Sequence, residues 1–240
     1  YSRNKVKRPS RPALFDLYAS DMVRSSSMLN NVADDFQIPD NIDGVTKIDT
    51  GNVHVPSLIV LNFNIPTEEP SVFGKAEDGE TCVLILYLVI AKHTINQLKD
   101  MNKASPAVKL LVEWCKKSEN DFSMRSRMKA MCLIDDVENS SLPGFISRFN
   151  GKPVLITKSS TFTRFPNYIE LQVNIHKWAY MPKKGLFSLQ PKFPSLAFNV
   201  GFTIEGREDD ELPEVLLGGA RINKIDMNRN EYIDEIDFNR

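Results

Sequence analysis

From residue 57 onwards the chain takes on a β-like texture. Leu58, Ile59, Val60 and Leu61 run together, Phe63 and Ile65 then alternate with Asn62 and Asn64, and Pro66 ends the run, which predicts a strand. Beyond a polar loop, residues 81–91 are almost continuously apolar, the pattern of a strand buried on both faces. Residues 95–117 carry Leu98, Met101, Val108, Leu111, Val112 and Cys115 at helical spacing, interrupted near Pro106. That spacing predicts two helices, the second opened by Ser105 as cap and Pro106 as first residue. Residues 124–134 predict a strand with Arg125, Arg127 and Lys129 on its outer face, and residues 144–150 a short helical turn. Three more strands are expected over residues 153–163, 167–178 and 195–204. In the second, Tyr168, Leu171, Val173 and Ile175 interleave with Glu170, Gln172 and Asn174. A short helix is expected at 186–191.

Residues 1–56 lack such periods. Leu14, Phe15, Leu17 and Tyr18, and later Met28, Leu29, Val32 and Phe36, form short apolar clusters among Ser, Asp, Asn and Pro. They predict one or two short helices and a turn at Asp43-Gly44, in an irregular wrap of the same domain. About six strands and three to four helices without regular βα alternation indicate an α+β fold with a mostly antiparallel sheet. The chain then divides into a wrap (1–56), a core (57–225) and an acidic tail (226–240).

Composition narrows the function classes. Thirty basic residues against 31 acidic ones give a formal charge of −1, which argues against nucleic acid as a partner. Three cysteines, Cys82, Cys115 and Cys132, with no CxxC spacing, form neither a disulfide framework nor a zinc motif and suit a reducing compartment. The most apolar run is too short to span a bilayer, so any membrane contact is expected to be peripheral. Arg3, Lys5, Lys7, Arg8 and Arg11 form a basic N-terminal arm, either a solvated tail or a contact for anionic lipid or protein. The chain opens on Tyr1 rather than Met, which predicts a piece of a longer protein.

Five ordered blocks carry a resemblance. Residues 56–66 (PSLIVLNFNIP) resemble the "VNFQIP"-type strand of the plant Enhanced Disease Resistance 2 C-terminal domain family. Residues 151–158 resemble its "GNKPCLLGK", 165–175 its "GPNYLEVDVDI", 196–205 its "LVVDMAFLIE", and 210–221 its "EELPEQLLGAVR". The family's Gly before Pro-Asn-Tyr is Phe165 here, and its "DVDIGSS" has become QVNIHKW over residues 172–178, with two acids and a flexible turn lost. In plants such domains stand after PH and START lipid-transfer domains, in proteins linked to endomembranes and defence signalling. The resemblance therefore implies a non-enzymatic, lipid- or membrane-associated domain on the cytoplasmic side of endomembranes.

Catalytic motifs are absent from the sequence: His54, His93 and His176 stand apart from other ligand residues, and there is no GxSxG, GxxxxGK[ST] or GxGxxG. Acidic residues 209–211 followed by Leu212-Pro213-Glu214 read as a helix start. Two candidate sites remain. Phe162, Phe165, Tyr168, Trp178 and Phe187, with Lys183 and Lys184 in an intervening loop, either rim a lipid or anionic-membrane site or form ordinary core and loop packing. Asp226, Asn228, Asn230, Tyr232 (through its carbonyl), Asp234 and Asp237 fall at calcium-loop spacing. Against that, Glu231 replaces the usual glycine and the twelfth position is the short Asp237; an acidic tail is the alternative. Calcium is thus the one candidate cofactor, and an alternative function is a protein-interaction scaffold of a calcium-responsive protein.

Overall fold

The computed structural model describes residues 10–32, 45–72, 77–135, 147, 150–156 and 158–233. Thr81–Ile90 (β3) is the organising strand. Only one of its ten residues is not fully buried, because β1 (Phe15–Ser25) and β2 (Leu58–Pro66) flank it antiparallel and its two faces meet two different cores. Tyr168–Asn174 (β7) pairs parallel with β2, and Ser160–Arg164 (β6) pairs antiparallel with β7, giving a five-stranded sheet ordered β1-β3-β2-β7-β6. Met128–Ile134 (β4), Val154–Leu155 (β5), Ala197–Ile204 (β8) and Leu216–Asn223 (β9) make a second, antiparallel sheet ordered β5-β4-β8-β9. The α+β fold with mainly antiparallel pairing stands as expected, with nine strands among the described residues in two sheets.

Helix α2 (Pro106–Lys117) packs its apolar face into the main core, in contact with the shorter α1 (Lys92–Leu98), and α3 (Phe122–Arg125) follows it. Ile59, Leu61, Leu84, Leu86, Leu88, Ile169, Leu171 and Val173 supply one face of the five-stranded sheet, and Met128, Phe202, Ile204 and Leu217 come from the other sheet. Val108, Leu111, Trp114 and Cys115 of α2 join them, each such side chain contributing about 1.5–3 kcal/mol on burial. Ser105 does precede Pro106 at the helix start, but its hydroxyl makes no cap bond; its N–H donates instead to Gln97 Oε1 at 2.9 Å. The sheets close on each other at β9, where Gly218 faces Leu88 and Gly219 faces the Val200 carbonyl at distances a Cβ would not tolerate.

Four sequence expectations are corrected. Residues 15–25 form a strand rather than short helices; a register shift between Leu17 and Ala19 breaks the period-two pattern that would announce it. The strand expected over 124–134 begins at Met128, with Arg125 in α3 and Arg127 ahead of the strand; Arg127 pairs with Glu211 at 2.8 Å and Lys129 with Glu214 at 2.9 Å, all four partly buried. Asp209–Glu211 is a single 3-10 turn closed by a Glu208/Glu211 capping box, after which Pro213 halts the helix and the chain enters β9. The expected helix at 186–191 starts earlier, as α4 (Tyr180–Leu189), and runs into a 3-10 turn, Gln190–Ser195. The turns expected at Asp43-Gly44 and over most of 144–150 lie outside the described residues.

Candidate functional site

The aromatic and basic residues do not form one group. Phe162 points into the main core, its ring 5.1 Å from Trp114 in an edge-on contact. Phe165 stacks on Tyr168 with centroids 4.5 Å apart, and both belong to the core on the opposite face of the sheet. Trp178 packs against the main core and donates through Nε1 to Ser159 Oγ at 3.1 Å. Lys183, Lys184 and Phe187 are the members left at the surface. They stand on α4 rather than on a loop, because Pro182 is tolerated in the first turn and Gly185 is buried against the core.

Around Lys183 and Phe187 the structure forms a cleft of about 180 Å³, lined also by Pro66, Glu68, Glu69, Asp78 and His176. One wall is the β2–β3 loop, closed at its base by Thr67 N–H donating to the Glu80 carbonyl at 3.1 Å. The other wall is α4, tied to that loop by Gln190 Nε2 donating to the Pro66 carbonyl at 2.6 Å. The floor is a 3-10 turn, Ile175–Lys177, started by Asn174 Oδ1 accepting the His176 N–H at 2.9 Å. Gly79, with φ +150°, brings the loop backbone past the imidazole in a conformation L side chains rarely adopt.

His176 is buried, with Nε2 2.6 Å from Thr81 Oγ1. Its carbonyl accepts Lys183 Nζ at 2.9 Å. Burial lowers the imidazole pKa below its ordinary value and the Lys183 charge adds to this, outweighing the opposite pull of Asp78, so the ring is neutral near pH 7. Lys184 forms an ion pair with Glu69 and lies 5.9 Å from the Phe187 ring centroid. His176, Glu68 and Asp78 escape sequence reasoning because each is an isolated residue in a different segment, with no spacing to mark it.

A second polar cluster escaped for a different reason. Glu170, Gln172 and Asn174 alternate with apolar residues in the sequence, yet all three are buried, as are Asn62 and Asn64 beside them on β2. Glu170, Gln172, Asn62 and Asn64 bind the backbone of residues 29–32, while Asn174 Nδ2 donates to the Glu77 carbonyl at 2.9 Å. The Leu29 carbonyl accepts from Gln172 Nε2 at 2.6 Å, Asn62 Nδ2 at 3.1 Å and Asn64 Nδ2 at 3.2 Å. Glu170 accepts the Val32 N–H at 3.0 Å and Asn62 Nδ2 at 3.0 Å. The side-by-side register of Asn62 with Gln172 and Asn64 with Asn174 is the signal, visible only once β2 and β7 are known to be neighbours.

Of the calcium-loop candidates, Asp234 and Asp237 lie outside the described residues. Asp226 takes Arg229 at 3.0 Å and the Asn228 N–H at 3.2 Å, and Asn230 Nδ2 donates to the Asp226 carbonyl at 3.3 Å. Tyr232 forms a parallel bridge with Arg24 of β1, stacks under its guanidinium at 4.4 Å and donates its hydroxyl to Glu80 at 2.8 Å. Among the described residues, no group of three or more His, Cys, Asp or Glu side chains is placed to hold a metal ion. None of the described helices is long and apolar enough to cross a membrane.

Two sheets packed over one buried helix, with a mixed-charge cleft where the β2–β3 loop meets α4, define the chain as a two-sheet α+β domain. It belongs to the family described as Protein ENHANCED DISEASE RESISTANCE 2, C-terminal, whose model matches residues 1–226. No curated protein and no solved structure matches the chain.

Proposed function

We propose that this chain is a non-enzymatic domain that binds lipid at a membrane surface, as part of a larger cytoplasmic protein working on endomembranes. The observation that carries the proposal is the outer side of α4. Met181 is 67% exposed there, and in the sequence it stands between exposed Lys177 and half-exposed Lys184. An apolar side chain flanked by cations suits the boundary between headgroups and acyl chains, where each cation contributes about 1 kcal/mol near an anionic leaflet. The Lys184–Glu69 pair is exposed and weak enough to be exchanged for a lipid phosphate. A cleft of about 180 Å³ is smaller than the roughly 300–1,000 Å³ of drug-sized ligand pockets, which favours a headgroup contact over extraction of a whole lipid. Burial pushes the Cys82 thiol up to about 11 and the Cys115 thiol to about 12, the reverse of an activated nucleophile. Flotation with phosphatidylserine vesicles tests the proposal: the wild type should float, and Met181→Asp with Lys177→Glu should stay behind. A wild type that remains with the protein fraction at low salt sinks it.

The alternative is a protein-interaction scaffold, with calcium bound at residues 226–237. It is favoured by the exposed apolar side chains Leu133 (46%), Val154 (55%) and Leu155 (42%) on neighbouring β4 and β5. Isothermal titration with calcium, comparing wild type with Asp226→Ala, separates the two: heat lost on substitution favours the scaffold.

A further inference from the structure

Within the cleft, most polar groups are already spoken for. Glu69 is paired with Lys184 of α4, Asp78 Oδ1 accepts the Gly79 N–H at 2.8 Å, and His176 Nε2 is committed to Thr81. Three capacities remain. Glu68 lines the cleft and makes no hydrogen bond or ion pair among the described residues. The Lys183 ammonium has three donors and uses one on the His176 carbonyl. His176 lines the cleft beside Gly79, and its Nδ1 makes no hydrogen bond among the described residues.

What is left over therefore has two signs. A carboxylate on the β2–β3 loop suits a ligand cation, while the Lys183 ammonium of α4 and the His176 imidazole on the floor suit a ligand anion. Between them the walls are apolar: Pro66, Pro70, Leu186 and Phe187. A simple anion would meet Glu68, Glu69 and Asp78, and a simple cation would meet Lys183; each leaves the other half of the cleft opposed to it. A molecule carrying both charges a few bonds apart satisfies both halves, and an aromatic wall also suits an alkylammonium group. The volume of about 180 Å³ matches something smaller than a drug-sized ligand.

We propose that the cleft between Glu68 and Lys183 recognises a zwitterionic phosphoammonium group, with its ammonium towards Glu68 and its phosphate towards Lys183 and His176. The phosphoammonium group is that of a lipid headgroup such as phosphoethanolamine or of the free phosphate ester. The lipid source rests on the membrane reading above, since Met181 then enters the same leaflet whose headgroup fills the cleft.

The test is a titration of phosphoethanolamine into the histidine-labelled chain, read on the imidazole signals of His176, beside flotation with phosphatidylethanolamine vesicles. The expected result is a saturable shift at His176. Glu68→Gln should weaken it about tenfold or more, as should replacing the ligand with inorganic phosphate or ethanolamine alone. Glu68 is exposed, so the substitution leaves the fold in place. Unmoved His176 signals, or equal binding by Glu68→Gln, overturn the proposal. If vesicles retain the chain while phosphoethanolamine is silent, the cleft assignment falls and the membrane reading survives. If phosphoethanolamine saturates the cleft but no vesicle retains the chain, the ligand chemistry holds, its source is the free ester, and the membrane reading falls.

Discussion

Gly218 of β9 lies so close to Leu88 of β3 that a Cβ at Gly218 would stand 2.7 Å from Leu88 Cδ1. Leu88 is fully buried, so it cannot simply swing aside. Gly218→Ala should therefore destabilise the chain by about 1–3 kcal/mol through overpacking. Leu88→Ala alone should cost about 2–5 kcal/mol, and the double substitution less than the sum, because each relieves the other. Urea unfolding of the four proteins measures the coupling; strict additivity would show that the sheets do not press on each other there.

The backbone of residues 29–32 depends on side chains from the sheet. Glu170→Ala leaves the Val32 N–H buried without its acceptor and should cost about 1–3 kcal/mol, with faster hydrogen exchange at Val32. Glu170→Gln keeps one acceptor oxygen and should cost less. Equal exchange rates at Val32 in all three proteins would mean the contact contributes nothing.

How much of this was legible beforehand differs from element to element. β2, β3 and β7 announce themselves because buried strands need long apolar or alternating runs. β1 does not, since the shift at Leu17/Ala19 moves its apolar residues out of phase. β9 is hidden by the acidic run and Pro213, which read as a helix start, while Gly218-Gly219 in its middle lack the side chains of a strand pattern although they serve sheet contact. Of the cleft, Lys183 and Phe187 were visible as a basic and aromatic cluster. His176, Glu68 and Asp78 were not, because three segments converge only after folding. Phe162 and Tyr168 were misleading in the opposite way: an aromatic residue in a strand says nothing about which face it occupies.

Acid should loosen the contact between β1 and residues 231–233. The Arg24 guanidinium, followed by the Tyr232 hydroxyl, holds the Glu80 carboxyl below its ordinary value of 4.5. The unfolded chain thus takes up this proton first. The Glu80 contribution is complete above about pH 4.5 and is lost as pH falls through the lower folded value. Glu80→Gln should remove that part of the acid sensitivity and leave stability near pH 7 lower than in the wild type. Identical slopes of stability against pH below 4.5 would rule the pair out as its source.

The three thiols should react unequally. Burial raises all three thiols, Cys82 and Cys132 to about 11 and Cys115 to about 12, so the difference between them is access: Cys82 and Cys115 are buried and Cys132 is exposed. Brief iodoacetamide treatment near pH 8 should add one label, at Cys132, with the other two appearing only on unfolding. Two or more labels on the folded chain, read by intact mass, would contradict the burial of Cys82 or Cys115.

The parallel pairing of β2 with β7 has a consequence for how the protein is made. Asn62 and Glu170, hydrogen-bonded in the finished sheet, are separated by 108 positions in the chain. At a synthesis rate of about 5–20 residues per second, the partner strand leaves the ribosome on the order of 5–20 s after β2 does. Over that interval β1, β3 and β2 can already pair, leaving the far side of β2 as an open row of backbone donors and acceptors, the kind of edge that recruits stray strands. The nascent sheet is thus most vulnerable to aggregation before residue 168 emerges, and a chaperone that shields β2 during translation would raise the yield of native protein more than one added after release.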